Sequence, residues 1–242
     1  MNLIITSKNN AKVKDACALK RKKVRLEKNL FLMEGIKNLD MALLYGRVKI
    51  IFTTIDLPFL NPEIEVHRVS DAVLDKLAFS KNPEGVVFVV AMLEPRKSKA
   101  EYHKILFLDG VNDPGNLGTM IRTATAFNYD AVILAKGSVD IYNEKVLAAT
   151  KGSLFLIDTF YDDLSPYKKS HKIIVSTIEQ PATPLKDLPK FDDFVLVLGN
   201  ESHGVSEGSL LLADVRVNIP LNPAVDSLNV AAATSIFMHY LQ

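Results

Sequence analysis

The stretch ILFLDGVNDPGNLGTMIRTATAF, residues 105–127, contains a strand, a loop and the start of a helix. Its first part, ILFLDG, is a continuous apolar run, whereas TMIRTATAF places apolar side chains at helical spacing. A strand that is apolar throughout is covered on both faces, which is typical of parallel sheets. The stretch therefore predicts an α/β domain, with residues 112–118 in a loop at the carboxyl end of a strand and a helix from about Thr119.

The same pattern continues to the end of the chain. Apolar runs of strand length recur at residues 131–135, 154–158, 172–178, 194–200 and 215–221, and helical patterns at 143–150 and 230–241 alternate with them. Strands that alternate with helices build a parallel sheet covered by helices. We expect this domain to span residues 105–242.

The N-terminal part is predicted to be a separate small α/β unit spanning residues 1–93. Its predicted helices cover residues 8–28, 36–46 and 71–79, and its predicted strands cover residues 31–35, 49–54 and 85–93. Residues 94–104, EPRKSKAEYHK, are polar, contain a proline and show no periodicity, so we predict a linker between the two domains.

The composition is that of an ordinary globular protein. Of the 242 residues, 48% are apolar and 24% are charged. A single cysteine, Cys17, excludes an internal disulfide framework and a cysteine-rich metal site. The first residues lack an apolar signal region, and no segment reaches the roughly 18 consecutive apolar residues of a membrane span. We expect a cytoplasmic protein that does not cross a membrane.

Charge is distributed unevenly along the chain. Residues 1–37 hold ten Lys and Arg against three acidic residues, a net charge of +7, and the other 19 basic and 25 acidic residues give −6. The run LKRKKVRLE supplies the candidate polyanion-binding residues Lys20, Arg21, Lys22, Lys23 and Arg25. A basic segment on a slightly acidic body suggests a polyanionic partner, although a solvated helix face explains the charge equally well.

Three polar loops follow predicted strands, at residues 112–118, 199–208 and 222–229. Ligands of parallel α/β sheets bind at the carboxyl ends of the strands, so these loops are candidate sites. The first loop carries Asn116, and Arg122 lies opposite the apolar side of the next helix. Together they could hold a neutral group and a phosphate, whereas a turn asparagine and a surface arginine are the structural alternatives.

The other two loops add candidate side chains. Glu201 follows a buried strand, where a glutamate is most often solvated or caps a helix, and His203 has no visible partner. Ser227 and Asn229 precede an alanine-rich helix and are ordinary N-cap residues. The free amides of a helix start also attract polar ligand groups, so capping and binding are compatible.

Several common sites have no counterpart in the sequence. No G-x-G-x-x-G follows a strand, so a nicotinamide-type Rossmann site is unsupported, and no G-x-S-x-G or H-E-x-x-H motif occurs. No metal-ligand spacing surrounds His203, and we expect no metal.

Taken in order, the three loops resemble the three motifs of the SpoU-type (TrmH-like) RNA ribose 2′-O-methyltransferases of the SPOUT superfamily. The matching segments are DPGNLGTMIRTATAF (113–127), LVLGNESHGVS (196–206) and IPLNPAVDSLNVAAA (219–233). The segments ITSKNNAKVK, LKRKKVRLE and FLMEGIKNLDMAL also resemble the substrate-binding domain attached to many members. The resemblance therefore covers nearly the whole chain.

This resemblance implies a C-terminal α/β domain with a deep trefoil knot that holds S-adenosylmethionine, preceded by an RNA-binding domain similar to a ribosomal-protein fold. The implied cofactor-binding positions are Leu198, Gly199, Ile219, Leu221, Ser227, Leu228 and Asn229. The implied catalytic positions are Asn116, Arg122, Glu201, Ser227 and Asn229. Members act as homodimers through the C-terminal domain, with the active site at the interface. The N-terminal domain type favours ribosomal RNA over transfer RNA as the partner.

The implied reaction transfers a methyl group from a sulfonium to a ribose 2′-hydroxyl, which is mainly a problem of positioning. A guanidinium keeps its proton at neutral pH, so we expect Arg122 to clamp a flanking phosphate and the ribose oxygen rather than to act as a base. Glu201 is expected to orient Arg122 or the loop, while Ser227 and Asn229 order the substrate and cofactor.

One segment departs from the family pattern. Members usually have glycine in the turn after the last strand, whereas this chain has Asn222-Pro223-Ala224. Proline fixes φ and removes an amide, which puts the methionine-side wall of the cofactor pocket in question. The alternative function is a non-catalytic RNA-binding or ribosome-assembly protein on the same fold. A small-molecule α/β enzyme is a weaker alternative because it leaves the basic segment unexplained.

Overall fold

The computed structural model describes residues 4–58 and 61–242. The chain forms two compact units, one containing residues up to Leu93 together with Tyr142–Leu147, and the other containing Glu94–Ile141 and Ala148–Gln242. Within the described ranges, every helix is too short or too polar to cross a bilayer.

The first unit is a four-stranded sheet with helices packed against it. Its helices are α1 (Ala11–Ala18), α2 (Lys22–Lys28), α3 (Ile36–Tyr45) and α4 (Asp71–Leu77), and its strands are β1 (Leu30–Glu34), β2 (Val48–Thr53), β3 (Glu65–Arg68) and β4 (Val86–Ala91). The strand order is β1-β4-β2-β3, with β4 antiparallel to both neighbours and β2 parallel to β3. Val13, Phe52 and Leu74 belong to the buried cluster between the helices and the sheet.

The single helix predicted over residues 8–28 is wrong, because the structure has two helices there. Helix α1 ends at Ala18, and Arg21 has extended backbone before α2 begins at Lys22. The guanidinium of Arg25 donates from Nη1 to the carbonyl oxygens of Leu19 and Lys20, at 2.9 and 3.0 Å. Carbonyls without helical partners are thereby satisfied by a side chain, which makes the interruption stable.

The second unit contains the predicted parallel sheet. Along the chain come β5 (Lys104–Asp109), α5 (Pro114–Ala126), β6 (Ala131–Leu134), α6 (Glu144–Thr150), β7 (Asp158–Tyr161), β8 (Lys172–Ser176), β9 (Thr183–Pro184), β10 (Phe194–Gly199), α7 (Glu207–Leu212), β11 (Val215–Asn218) and α8 (Val230–Tyr240). The part of α6 up to Leu147 is assigned to the first unit. All seven strands pair in parallel in the order β7-β6-β5-β10-β8-β11-β9. The α/β fold with a parallel sheet is confirmed, and the continuous apolarity has the expected cause, since β6 and β10 are buried at every residue.

The strand predicted at residues 154–158 is wrong in position. Residues Ser153–Phe155 form a short 3-10 helix, and β7 begins only at Asp158. Leu154 and Phe155 are both buried, so the run is apolar because it is core. A short buried run has the same composition in a strand and in a helical turn, and periodicity cannot separate the two.

Helix α5 begins five residues earlier than the predicted start at Thr119. Pro114 occupies the first helical position, and Asp113 caps the helix by accepting a hydrogen bond from the Asn116 amide at 2.7 Å. Asn116 therefore lies in the first turn of the helix rather than in a loop, and Arg122 lies roughly two turns in. The strands β3 and β9 and the helix α7 were not predicted from the sequence.

Candidate active site

A cavity of about 370 Å³ lies at the carboxyl ends of β8, β10 and β11, beside α8. Six of the seven residues predicted to bind the cofactor line it, namely Leu198, Gly199, Ile219, Leu221, Ser227 and Leu228. The seventh, Asn229, follows directly as the N-cap of α8. The volume lies within the range of small-molecule sites, and the position is where parallel sheets bind ligands.

Gly199, the last residue of β10, is where the backbone closes over itself. A Cβ atom at this position would lie 2.2 Å from the carbonyl carbon of Gly204 and 2.3 Å from the amide nitrogen of Val205. Asn200 and Gly204 also exchange backbone hydrogen bonds of 2.8 and 3.0 Å. The loop after β10 therefore returns directly onto the strand end, and only glycine fits beneath it.

A chain of side-chain hydrogen bonds joins the three polar segments. Asn116 donates from Nδ2 to Oε1 of Glu201 at 3.0 Å, and its Oδ1 accepts from Nδ2 of Asn229 at 3.1 Å. Asn229 in turn caps α8, because its Oδ1 accepts from the amides of Ala231 and Ala232 at 2.9 and 3.2 Å. Three residues far apart in sequence thus form one polar network. Each asparagine uses both the oxygen and the nitrogen of its side-chain amide in it.

Two carboxylates tie the loop after β10 to the segment after β5. Glu201 lies 3.4 Å from the backbone amides of both Asn112 and Asp113. In the opposite direction, Asp109 accepts hydrogen bonds from the amide and the hydroxyl of Ser206, at 2.8 and 2.7 Å. Asp109 ends β5 and Gly199 ends β10, and the two residues are paired in register. The two carboxylates therefore link the segments that follow these neighbouring strands. They fix the position from which Glu201 reaches Asn116.

Arg122 is exposed, as its helical position predicted, while Met120, Ile121 and Ala124 on the other side of α5 are buried. In the part of the chain that the structure describes, its guanidinium makes no hydrogen bond or ion pair, and it does not line the cavity. Glu201 was expected to orient either Arg122 or the loop that carries Asn116. It contacts that segment and, among the described residues, makes no hydrogen bond or ion pair with Arg122. Ser227 is exposed and lies on the cavity wall.

Comparison with protein families matches the two parts of the chain separately. Residues 103–239 match the model of the SpoU rRNA Methylase family, and residues 10–87 match the MRM3-like substrate binding domain. The chain belongs to the SpoU methylase family. It is accordingly an RNA methyltransferase that uses S-adenosylmethionine, and the non-catalytic alternative is disfavoured.

Individual relatives cover almost the whole chain. The 23S rRNA (guanosine(2553)-2′-O)-methyltransferase RlmP of Bacillus subtilis is 35% identical over 98% of both chains. An AdoMet-bound rRNA methyltransferase from Sinorhizobium meliloti has a TM-score of 0.85 at 26% identity, covering 98% of this chain and 96% of that one. A TrmH-family RNA methyltransferase structure from Porphyromonas gingivalis gives a TM-score of 0.84 at 26% identity, covering 96% and 97%.

The departure from the SpoU pattern at Asn222-Pro223-Ala224 has a simple structural form. Asn222 accepts from the amide of Val225 at 2.9 Å through its carbonyl and from the amide of Ala224 at 2.9 Å through its side chain. Pro223 therefore occupies the second position of a β-turn, where proline is favoured and no amide is lost from the pairing. Residues 222–225 lie outside the cavity lining, whereas Leu221 and Asp226 on either side of the turn belong to it.

Sequence reasoning missed part of the cavity wall of this SpoU methylase. Residues 176–179, which begin at the last residue of β8, line the cavity, as do Leu210, Ala233 and Phe237 from the flanking helices. The polar segment STIE directly after the apolar run KIIV was the available signal. His203, a weak candidate from sequence, also lines the cavity, with its Nδ1 3.2 Å from Oδ1 of Asn200.

The basic run of the first unit divides into inward and outward side chains. Lys20 donates to the carbonyls of Lys76 and Ala78 at 3.0 and 2.6 Å, and Arg25 is 5% exposed and holds the end of α1. Both have structural partners, so their side chains are not presented to a ligand in the way the sequence suggested. The exposed members of the run are Arg21, Lys22 and Lys23.

Proposed function

We propose that this chain methylates the 2′-hydroxyl of a ribose in ribosomal RNA, with S-adenosylmethionine as the methyl donor. The observation that supports this most strongly is the hydrogen-bond chain Glu201–Asn116–Asn229, which connects the cofactor cavity to the exposed start of α5. A cavity without such a connected polar surface would bind the cofactor but would offer no ordered place for the acceptor sugar.

In the proposed mechanism the protein acts mainly by positioning. Bound S-adenosylmethionine would supply the methyl group to the ribose 2′-oxygen and be left as the thioether, and the hydroxyl proton would pass to solvent or to a neighbouring acceptor. Ser227 on the cavity wall and Asn229 at the cap of α8 are proposed to order the cofactor and the sugar. Glu201 fixes the amide of Asn116, so the set is arranged before the substrate arrives.

Arg122 is assigned a clamping role. Its exposed guanidinium has five donors and no acceptor, which suits a flanking phosphate and the 2′-oxygen better than proton abstraction. The lack of an intrachain partner in the described residues leaves those donors available to RNA.

We also propose a homodimer through the C-terminal domain. Arg122 neither lines the cavity of its own chain nor contacts Glu201, so the site is best completed by the partner subunit's Arg122. The proposal explains why one member of the catalytic set stands apart while Asn116, Glu201 and Asn229 are bonded together.

A trefoil knot in the C-terminal domain belongs to the same proposal. The loops after β8, β10 and β11 meet at one cavity, and the loop after β10 closes on Gly199 at backbone contact distance. The match of residues 103–239 to the SpoU family also supports the knot, because resemblance to that family implies it.

Residues 1–93 are proposed to bind the RNA and residues 105–242 to carry out methyl transfer, with residues 94–104 as the linker between the two domains. The match of residues 10–87 to a substrate binding domain supports it. Large-subunit ribosomal RNA is the proposed target because the Bacillus subtilis relative is named as a 23S rRNA methyltransferase, and the cytoplasm is the proposed location.

The direct test is methyl transfer to ribosomal RNA isolated from cells that lack this protein. Purified protein and methyl-labelled S-adenosylmethionine should label one ribose, mapped as a single position that resists alkaline cleavage. Arg122→Ala should abolish the labelling, whereas Lys169→Ala, which removes an exposed charge outside the site, should not. Label on a base, or cofactor and RNA binding without transfer, would contradict the proposal.

A further inference from the structure

The walls of the cofactor cavity carry an uneven set of charges. Three acidic residues, Glu179, Glu201 and Asp226, are among the residues that line the cavity. Across the described ranges, no lysine or arginine belongs to this lining. The cavity lining is therefore formally negative, whereas a surface that binds RNA is expected to be positive.

The three carboxylates are not equivalent. Glu201 is engaged with Asn116 and with the amides after β5, as described above. Glu179 and Asp226 come from the loops after β8 and β11, and within the described chain their carboxylates make no hydrogen bond or ion pair. Both are exposed, and both line the cavity that is proposed to hold the cofactor.

Methyl transfer changes the charge of the ligand in this space. S-adenosylmethionine has a sulfonium, an ammonium and a carboxylate, and is a monocation at neutral pH. When its methyl carbon bonds to the ribose oxygen, the C–S bond breaks and both its electrons stay on sulfur. The product S-adenosylhomocysteine is then a neutral thioether, and the proton lost from the hydroxyl balances the charge.

We infer that Glu179 and Asp226 make the cavity selective for the cationic donor over the neutral product. Negative charge on two walls stabilises the sulfonium form by direct Coulomb attraction, and this attraction disappears after transfer. The product keeps its ammonium and carboxylate but has lost the sulfonium charge, so it is held less tightly and leaves more readily than the donor. This role is distinct from that of Glu201, which positions protein groups, and it rests on S-adenosylmethionine being the ligand of this cavity.

The test compares the affinity of the whole protein for three probes by calorimetry. The probes are S-adenosylmethionine, S-adenosylhomocysteine and sinefungin, a stable analogue in which a protonated amine replaces the sulfonium. The wild-type protein should bind both cations more tightly than the neutral product. Asp226→Asn and Glu179→Gln should each weaken the two cations about three- to tenfold, and leave the product within about twofold, as expected for exposed charges.

Two controls separate charge from shape. Asp192→Asn removes one exposed acid of the second unit that does not line the cavity, and it should leave all three affinities unchanged. Raising the salt concentration should reduce the preference for cations in the wild type and have less effect in the two variants.

The outcomes are distinct from failure of the proposed function. If the wild type binds neither donor nor product, the cavity is not the cofactor site and the methyltransferase assignment itself is at fault. If the wild type binds the donor but both variants keep the full preference, or lose donor and product equally, the inference of charge selection is wrong.

Discussion

Nδ2 of Asn229 lies 3.1 Å from Oδ1 of Asn116, and this hydrogen bond joins the cap of α8 to the first turn of α5. Each asparagine has a second partner, since Asn116 donates to Glu201 and Asn229 accepts from the first amides of α8. The side chain of Asn229 therefore both caps α8 and belongs to the polar network of the site, and a substitution at this position can separate the two roles.

Asp and Ala at position 229 should give different results. Asn229→Asp keeps an acceptor for the amides of Ala231 and Ala232 but cannot donate to Asn116. We expect thermal stability close to wild type and at least a tenfold loss of methyl transfer. Asn229→Ala should lose the activity and also about 1 kcal/mol of unfolding free energy, measured by denaturant titration. Full activity in Asn229→Asp would show that the link to Asn116 is dispensable.

The proposed dimer makes a prediction about mixed subunits. Arg122→Ala and Ser227→Ala should each abolish turnover when alone. If the partner subunit's Arg122 completes each site, random heterodimers of the two variants restore one intact site, giving about a quarter of wild-type activity when co-expressed in equal amounts. Activity that stays at zero in purified heterodimers would mean that Arg122 acts within its own chain.

Gly199→Ala should disturb the loop that carries Glu201. The new Cβ would meet the backbone of Gly204 at 2.2 Å, and a backbone segment cannot rotate away as a side chain can. We expect a loss of about 1–3 kcal/mol in unfolding free energy together with weak cofactor binding.

A matched glycine provides the control. Gly208 lies in α7, and a Cβ there would come no closer than 3.9 Å to the hydroxyl of Ser206. Gly208→Ala should be neutral or stabilising by up to about 1 kcal/mol, with cofactor affinity unchanged. Equal behaviour of the two variants in calorimetry would remove the steric explanation.

The basic run should separate into RNA-binding and structural residues. Arg21→Gln, Lys22→Gln and Lys23→Gln should weaken RNA binding and each lower the salt dependence of the logarithmic affinity by about 1 if the residue contacts a phosphate. Thermal stability should not change, because these side chains are exposed.

Arg25→Gln is the contrasting variant, since it removes a buried guanidinium that donates to two carbonyls. We expect a loss of about 1–3 kcal/mol in unfolding free energy. The salt slope of RNA binding, measured below the melting temperature, should stay at the wild-type value. A reduced salt dependence of RNA binding in this variant would show that Arg25 contacts the RNA.

Asp158 should make the stability of the second unit depend on pH. Burial acts to raise the pKa of its carboxyl group, but hydrogen bonds from Arg96, the Lys97 amide and Tyr102 outweigh this effect, and the pKa is lowered. A lowered pKa in the folded state stabilises the fold above the unfolded value of about 4, and this stabilisation is lost as pH falls through the folded pKa.

The variant Asp158→Asn should therefore unfold more easily than wild type at pH 7, by about 1–3 kcal/mol. The difference in melting temperature between the two proteins should shrink as the pH is lowered below 4. A difference that stays constant over this range would show that the charge of Asp158 is not what stabilises the unit.

Elements with a distinctive pattern were predictable from sequence, and short or irregular ones were not. The strands β6 and β10 were identified because every residue is apolar, β5 because of its apolar run ILFL, and α8 because its apolar residues keep helical spacing. The break between α1 and α2 was missed because it depends on the carbonyls of Leu19 and Lys20 accepting hydrogen bonds from the Arg25 guanidinium, contacts that no local pattern shows.

The sequence by itself determined the parallel α/β architecture, the family and the residues from which a site had to be built, because these follow from local periodicity and from three motifs. Only the tertiary structure decided how those residues are connected. Asn116 is 85 residues from Glu201 and 113 from Asn229, and their hydrogen bonds form because parallel strands bring their carboxyl ends to one edge of the sheet. The same folding turned Arg25 inward and left Arg122 exposed, since burial depends on what packs against a residue and not on its type.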